Sequence, residues 1–499
     1  MTAAFSRATL RHPYNEPPRE APTFQSIPEL DGIVHMLTCG SVDDGKSTLI
    51  GRLLWDADDL NDDQRQSLAR SVDRDGIPDF SLLVDGLLAE REQGITIDIA
   101  WRYVEAGRRR LVIIDSPGHE QYTRNMASGA SQADVAVMLV DARHGVKPQT
   151  RRHAAILDLV GVRHVILAVN KMDLVDFRET RFRQIERDFD TLAKTFGFHD
   201  ARAIPVSAKH GDNVARRSSV MSWYRGPTLL ERLSTVPPRT RVSDGPFRFP
   251  VQTVLRTDDF RGLAGTVAWG HVAVGDAIED STSARRAIVA RIVTMDGDLA
   301  TAESGQAITL VLDTDIDVSR GAVLGTPGQA ARLAQRLDAR LLWVADALLD
   351  PGQRLLLRTA TDAVPIQALH IQAKLDLDTL EQSPGGTCST NDLVIADIVL
   401  TRPSPLDPFS EIPTTGAFVL VDVISGATVA GGIVRSIMDF GNNAHEHGFR
   451  LSQDMLAADL CRDLAIYDPE FRRRADAVVR LFESAGLDVG FDRTLHRQG

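Results

Sequence analysis

The feature that most constrains this chain is Gly40-Ser41-Val42-Asp43-Asp44-Gly45-Lys46-Ser47, followed by Thr48. It fits the pattern G-x-x-x-x-G-K-[ST]. It lies between an apolar run, His35 to Thr38, and a segment with helical character, Thr48 to Leu54. A strand that turns through glycines into a helix wraps its backbone N–H groups around phosphates at the helix N-terminus. Lys46 is then placed to reach the β- and γ-phosphates. The Ser47 hydroxyl is placed to bind Mg²⁺, a hard cation that takes oxygen ligands. A fold that supports such a loop needs a parallel sheet with helices on both faces. The sequence between about 33 and 214 supplies one: the apolar runs Leu111–Ile114, Val135–Val140 and His164–Val169 alternate with amphipathic segments. Thr96 to Trp101 alternates with period two and predicts a strand at the sheet edge.

A phosphate loop alone does not choose a base. Asn170-Lys171-Met172-Asp173 ends the run His164–Val169 and predicts guanine. The Asp173 carboxylate can accept hydrogen bonds from the guanine N1–H and exocyclic amine, donors that adenine does not present in that pattern. A site built around such a pair rejects an analogue that leaves it unpaired. Ser207-Ala208-Lys209 follows another apolar run and can offer a backbone N–H to the guanine O6. Between these motifs stands Asp115-Ser116-Pro117-Gly118-His119. Asp115 is expected to hold Mg²⁺ through water, the Gly118 N–H to sense the γ-phosphate, and His119 to orient the attacking water. Thr96, after Gly94-Ile95, is the candidate second protein ligand to Mg²⁺, on a loop ordered by the γ-phosphate. The cofactors expected are thus GTP and Mg²⁺, and no nucleophilic side chain is called for. Arg91, Arg102 and Arg124 lie near these loops, but none is assignable as an arginine finger.

The rest of the chain sets the domain plan. Residues 1–30 are rich in Pro, Glu and Arg and read as a disordered arm. The GTP-binding domain is expected over 31–240, before a linker marked by Pro237-Pro238 and Gly245-Pro246. Short β-like runs follow: Phe249–Leu255, Gly265–Val272, Ala287–Met295 and Ala307–Leu312, then a second set from Arg340 to Ile437. They predict two small barrels, at 245–330 and 338–438. A helical tail is expected over 441–499, where Phe471–Glu483 carries an apolar stripe.

Composition narrows the setting. The formal net charge of −12 argues against a general nucleic-acid-binding surface. Cys39, Cys388 and Cys461 stand at no metal-ligand spacing, which fits a reduced, cytoplasmic compartment. No signal peptide and no run of about 18 apolar residues is visible, so a soluble chain is expected.

The five nucleotide elements followed by two β-rich segments resemble the elongation factor Tu group of translational GTPases. The likeness is more specific than that. Leu37–Leu54, Ala89–Ala100 and Asp115–Met126 resemble the GTPase subunit of bacterial heterodimeric sulfate adenylyltransferase. Elongation factors usually have His where this chain has Asp44, and Cys where it has Ser116. Trp223–Leu230, Phe247–Gln252, Asp259–Gly262, Ile316–Gly321 and Thr415–Asp422 extend the likeness into the barrels. It spans roughly 33–437 and is patchier from 340 to 412.

The resemblance implies a multidomain α/β plus β protein: a P-loop GTPase domain, two β-barrels of the elongation-factor type and a short tail. It implies GTP hydrolysis coupled to formation of adenosine 5′-phosphosulfate and pyrophosphate from ATP and sulfate, the first step of sulfate assimilation. The adenylyl transfer would occur on a separate small subunit, so a heterodimer is expected. The alternative is an elongation factor Tu-like GTPase delivering aminoacyl-tRNA, and a regulatory GTPase that lost its original partner stays open. In the tail, Leu460–Leu464 and Arg474–Gly486 resemble an internal segment of adenylylsulfate kinase without its phosphate loop, and Ser452–Ala457 has lost two of that family's residues. The tail is either a catalytically dead kinase remnant or an unrelated helical extension.

Overall fold

The structure is a computed structural model. It describes residues 32–438 apart from 58–59, 61, 73–75, 85–95, 97, 107–108, 239–244, 258–259, 351, 378 and 380, together with 449–451 and 489–491. The N-terminal arm expected at 1–30 lies outside the described residues. The chain divides into two compact units, 1–240 and 241–499.

The first unit is built on β1 (Gly32–Gly40), β2 (Ala100–Ala106), β3 (Arg109–Asp115), β4 (Val135–Asp141), β5 (His164–Asn170) and β6 (Asp200–Pro205), in the sheet order β2-β3-β1-β4-β5-β6. All pairs are parallel except β2 with β3. The central strands are apolar on both faces because helices cover both; every residue of Val135–Asp141 is buried. Helices α1 (Lys46–Asp56), α2 (Asp62–Arg70), α3 (Thr123–Ala130), α4 (Pro148–Leu159), α5 (Glu179–Thr195) and α6 (Leu229–Thr235) complete the unit. One core cluster, including Leu49, Leu53, Phe80, Ile113 and Val137, seats α1 and Phe80 against the sheet.

The chain runs from β1 to β3 on one side and on to β4 on the other, so the crevice at the carboxyl ends of these strands is a topological switch point, where such sheets bind ligands. The edge strand starts later than the period-two pattern predicts. Thr96 and Asp98 are irregular, and pairing begins at Ala100 opposite Asp115. At Asp115 the partner strand ends, so Asp98 and Ile99 have no residue of β3 to pair with.

The second unit holds two closed barrels. In the first, β7 (Arg248–Thr257), β8 (Phe260–Thr266), β10 (Ala277–Asp280), β11 (Arg286–Thr294), β14 (Ala307–Leu312) and β15 (Val323–Gly325) form a ring closed by β10 pairing with β11. The run expected as one strand at Gly265–Val272 is interrupted after Thr266. Gly270 turns with φ 69°, where an added Cβ would lie 2.6 Å from the Gly245 carbonyl oxygen. The chain then resumes as β9 (His271–Ala273), paired with β13 (Thr301–Glu303), while β12 (Gly297–Leu299) extends β11.

The second barrel contains β16 (Arg332–Trp343), β17 (Leu355–Arg358), β18 (Ala363–Leu375), β20 (Leu393–Leu406), β21 (Ala417–Asp422) and β22 (Thr428–Met438), closed by β17 with β18; β19 (Gln382–Pro384) extends β18. Its first strand begins at Arg332, ahead of the expected boundary. A bulge between Ala334 and Arg336 breaks the alternation that would have marked it.

The two barrels are pinned by a buried ion pair. Arg248 Nε and Nη2 each donate to the Asp407 carboxylate at 2.9 Å, and Thr415 Oγ1 donates to Asp407 Oδ2 at 2.6 Å. Both charged residues are buried, at 4% and 2% exposure. Of the tail, β23 (Phe449–Leu451) and β24 (Val489–Phe491) are described and pair in parallel. The expected helix at 471–483 and the kinase-like segments lie outside the described residues. Among the described residues no helix is long and apolar enough to cross a membrane.

Candidate functional site

The loop from Gly40 to Ser47 joins β1 to α1 at the switch point. Asp44 folds it on itself: its backbone N–H donates to the Ser41 carbonyl at 3.2 Å, and its carboxylate accepts the Ser41 N–H at 2.8 Å. Lys147, just ahead of α4, reaches the same carboxylate at 3.3 Å. Gly45 begins α1 with φ 93°, and a Cβ there would meet the Asn170 amide nitrogen at 2.4 Å, so only glycine fits. Val42 and Ser47 are half-buried, while Asp43 is exposed with φ 67°. Lys46 is buried, its ammonium donating to the carbonyls of Gly40 and Ser41 at 3.0 and 3.1 Å. Burial pulls its pKa down, and the nearby Asp115 and Asp44 oppose that pull.

Gly118 comes against this loop. An added Cβ would lie 2.2 Å from Lys46 Nζ and 2.6 Å from the Gly40 carbonyl oxygen, so the chain after β3 packs on the phosphate loop too closely to admit a side chain here. Asp115 is fully buried, with Thr38 Oγ1 donating to its Oδ1 at 3.2 Å. Ser116 donates to the Thr38 carbonyl at 2.6 Å, a distance suited to a hydroxyl and too short for a thiol. His119 caps a short helical turn: its Nδ1 accepts the Gln121 N–H at 3.3 Å, and its ring lies 6.1 Å from that of Tyr122. Thr96 is half-buried and makes no hydrogen bond among the described residues.

The base-reading segments are tied to the same loop. Asn170 Nδ2 donates to the Asp44 carbonyl at 2.9 Å, while its Oδ1 accepts the Ala208 N–H at 3.0 Å. Ser207 Oγ donates to Asp173 Oδ1 at 2.6 Å. Lys171 donates to the Asp43 carbonyl and to Asp141 at 3.1 Å. A cavity of about 360 Å³ is lined by Gly45, Thr48, Asn170, Lys171, Asp173, Ala208 and Lys209, together with residues 77–80.

Sequence reasoning missed Asp141, Arg143 and Lys147. Burial works to raise the Asp141 carboxyl, but hydrogen bonds from Arg143 and Lys171 outweigh it and hold it far below the usual carboxylate range. Its position at the end of an apolar strand beside the other site strands was the available signal.

Beneath the site, His153 on α4 is buried. Burial, then the charges of Lys46 and Arg152, push its pKa down to about 3. An unfolded histidine titrates near 6.5, so between about pH 6.5 and 3 the unfolded chain binds the extra proton. The folded state thus has its full stability from this group above about pH 6.5 and loses it as pH falls toward 3. His153→Gln is expected to flatten that acid limb in urea midpoints of residues 1–240 within the full chain. Parallel limbs in both proteins would remove His153 as its cause.

Comparison with known proteins gives the family of the chain. Residues 31–239 match the elongation factor Tu GTP binding domain, and residues 336–435 match the GTP-eEF1A C-terminal domain-like family. Sulfate adenylyltransferase subunit 1 of Salmonella typhimurium is 46% identical over 415 residues, covering 82% of this chain and 87% of that protein. The protein of the same name from Methylorubrum extorquens is 45% identical over 411 residues, covering 81% and 88%. The bifunctional enzyme NodQ of Azospirillum brasilense is 46% identical over 427 residues, covering 84% of this chain and 69% of that protein. The chain therefore belongs to the family of sulfate adenylyltransferase subunit 1, with a GTPase domain of the elongation factor Tu type.

Proposed function

We propose that this chain is the GTPase subunit of a two-subunit sulfate adenylyltransferase. GTP hydrolysis here drives formation of adenosine 5′-phosphosulfate and pyrophosphate from ATP and sulfate on a separate small subunit. The observation that carries the GTPase reading is the convergence of Lys46, Gly118, Asn170, Asp173 and Ala208 on one phosphate loop and its adjoining cavity. The sulfate reading rests on kinship with subunit 1 proteins along most of the chain.

In this reading the backbone of Gly40–Thr48 and the Lys46 ammonium bind the β- and γ-phosphates. Asp173 and the Ala208 N–H read guanine, with Ser207 orienting the Asp173 carboxylate and Lys209 flanking the base. The Gly118 N–H registers the γ-phosphate, and His119 orients the water that attacks it. Ser47, Asp115 and Thr96 would hold Mg²⁺. Two hydroxyls and a buried carboxylate form the all-oxygen donor set that this small, hard cation prefers. When bound, the ion supplies neutralisation of charge on the phosphate oxygens. The chain's own contribution is positioning. Coupling to the small subunit works through the segments at Thr96 and at Gly118–His119: the state ordered by the γ-phosphate favours one conformation of the partner.

The test is a coupled assay. The purified chain is mixed with the small subunit, ATP, sulfate and pyrophosphatase, with and without GTP, and adenylylsulfate and GDP are followed together. Both are expected only in the complete mixture. GTP hydrolysis with no adenylylsulfate under any condition would keep the GTPase and remove the sulfate assignment.

A further inference from the structure

The cavity beside the phosphate loop has a wall that no nucleotide motif builds. Ile77, Pro78, Asp79 and Phe80 line it alongside Thr48 and Asp173. This wall is held firmly. Phe80 is 2% exposed, its ring 5.9 Å from that of Trp55 and beneath the Arg52 guanidinium at 5.2 Å. Its backbone is seated on α1 so closely that a Cβ on Gly51 would lie 1.9 Å from the Phe80 carbonyl oxygen. The Asp79 N–H donates to the Ser71 carbonyl at 3.2 Å, and Val72 bridges to Pro78.

Within this wall, Asp79 is only half used. Its Oδ1 accepts the Ser81 N–H at 3.1 Å and the Ser81 hydroxyl at 2.6 Å. Its Oδ2 accepts no hydrogen bond among the described residues. Asp79 is exposed, so water hydrates this oxygen until a ligand arrives, and of the groups a nucleotide offers a carboxylate accepts from hydrogen-bond donors and repels phosphates and carbonyl oxygens. A guanosine nucleotide offers donors at the base edge, which Asp173 takes, and at the sugar hydroxyls. The covalent order base–ribose–phosphate puts the sugar between the Asp173 end of the cavity and the Gly45–Thr48 end.

We propose that Asp79 is a specificity-determining residue for ribose: its free carboxylate oxygen accepts a hydrogen bond from a sugar hydroxyl, while Ile77 and Pro78 pack against the sugar. The assignment rests on the guanine-nucleotide reading of the cavity. It makes this chain selective for a nucleotide that carries that hydroxyl over one that lacks it.

The experiment is isothermal titration calorimetry of the full chain with GDP, 2′-deoxy-GDP and 3′-deoxy-GDP. Wild type is expected to bind at least one deoxy analogue about 10- to 150-fold more weakly than GDP, the size of one hydrogen bond to a charged group. Asp79→Ala is expected to lose that factor for GDP and to bind all three nucleotides about equally. Ser81→Ala, which removes a bond to the other carboxylate oxygen, is expected to keep the wild-type preference and so separates sugar recognition from local folding. Equal wild-type binding of all three nucleotides, or an unchanged preference in Asp79→Ala, would overturn the assignment. Failure of wild type to bind GDP at all would overturn the guanine reading itself, and the Asp79 role with it.

Discussion

His119→Ala is expected to bind GTP and GDP within about twofold of wild type while its GTP turnover, with partner present, falls roughly 10²- to 10⁴-fold, the range for a group that handles a proton or positions water in a transition state. Binding should survive because, among the described residues, the His119 ring makes no hydrogen bond to the phosphate loop; it caps Gln121 and packs by Tyr122. The loss of that cap is a separate effect, worth about 1 kcal/mol of local stability. His119→Asn isolates it, since asparagine is a good N-cap but lacks the imidazole. Single-turnover hydrolysis should be as slow in the Asn variant as in the Ala variant. Recovery in the Asn variant would make His119 a residue that positions the helical turn, and unchanged turnover in the Ala variant would remove it from the mechanism.

The second large effect lies in the barrels. Asp407→Ala leaves the Arg248 guanidinium buried without its carboxylate and takes the acceptor from Thr415. Breaking one side of a buried pair costs about 3–5 kcal/mol. Replacing both partners by apolar residues, Arg248→Met with Asp407→Leu, is expected to recover most of that loss. The measurement is urea unfolding in a background where Trp55, Trp101 and Trp223 are replaced by Phe, so that fluorescence reports Trp269 and the fully buried Trp343 of the barrels, in parallel with GDP binding. The barrel transition should move to lower urea in Asp407→Ala, and the loss of GDP binding should not. A barrel midpoint that does not move would show the pair contributes nothing net.

The candidate site was legible in the sequence to the extent that its residues sit in short contiguous segments at strand ends. Gly40–Ser47, Asp115–His119, Asn170–Asp173 and Ser207–Lys209 each follow a strand of the parallel sheet, so local pattern and tertiary position coincide. What stayed hidden depends on contacts between distant residues. Lys147 meets Asp44, and Lys171 meets Asp141, only because β4 lies between β1 and β5. Residues 77–80 carry no motif, and their role comes from the seat that Gly51 makes for Phe80. In the barrels, composition marked most strands, but Gly270 and the bulge after Ala334 broke the alternation on which a strand boundary depends.

The Asn170 amide joins the carbonyl of Asp44 to the N–H of Ala208, so one planar group spans both ends of the nucleotide cavity. In the proposed GTP reading, in which the loop at Asp44 holds the phosphates and the 207–209 segment reads the base, phosphate grip and base choice are therefore coupled through this single amide.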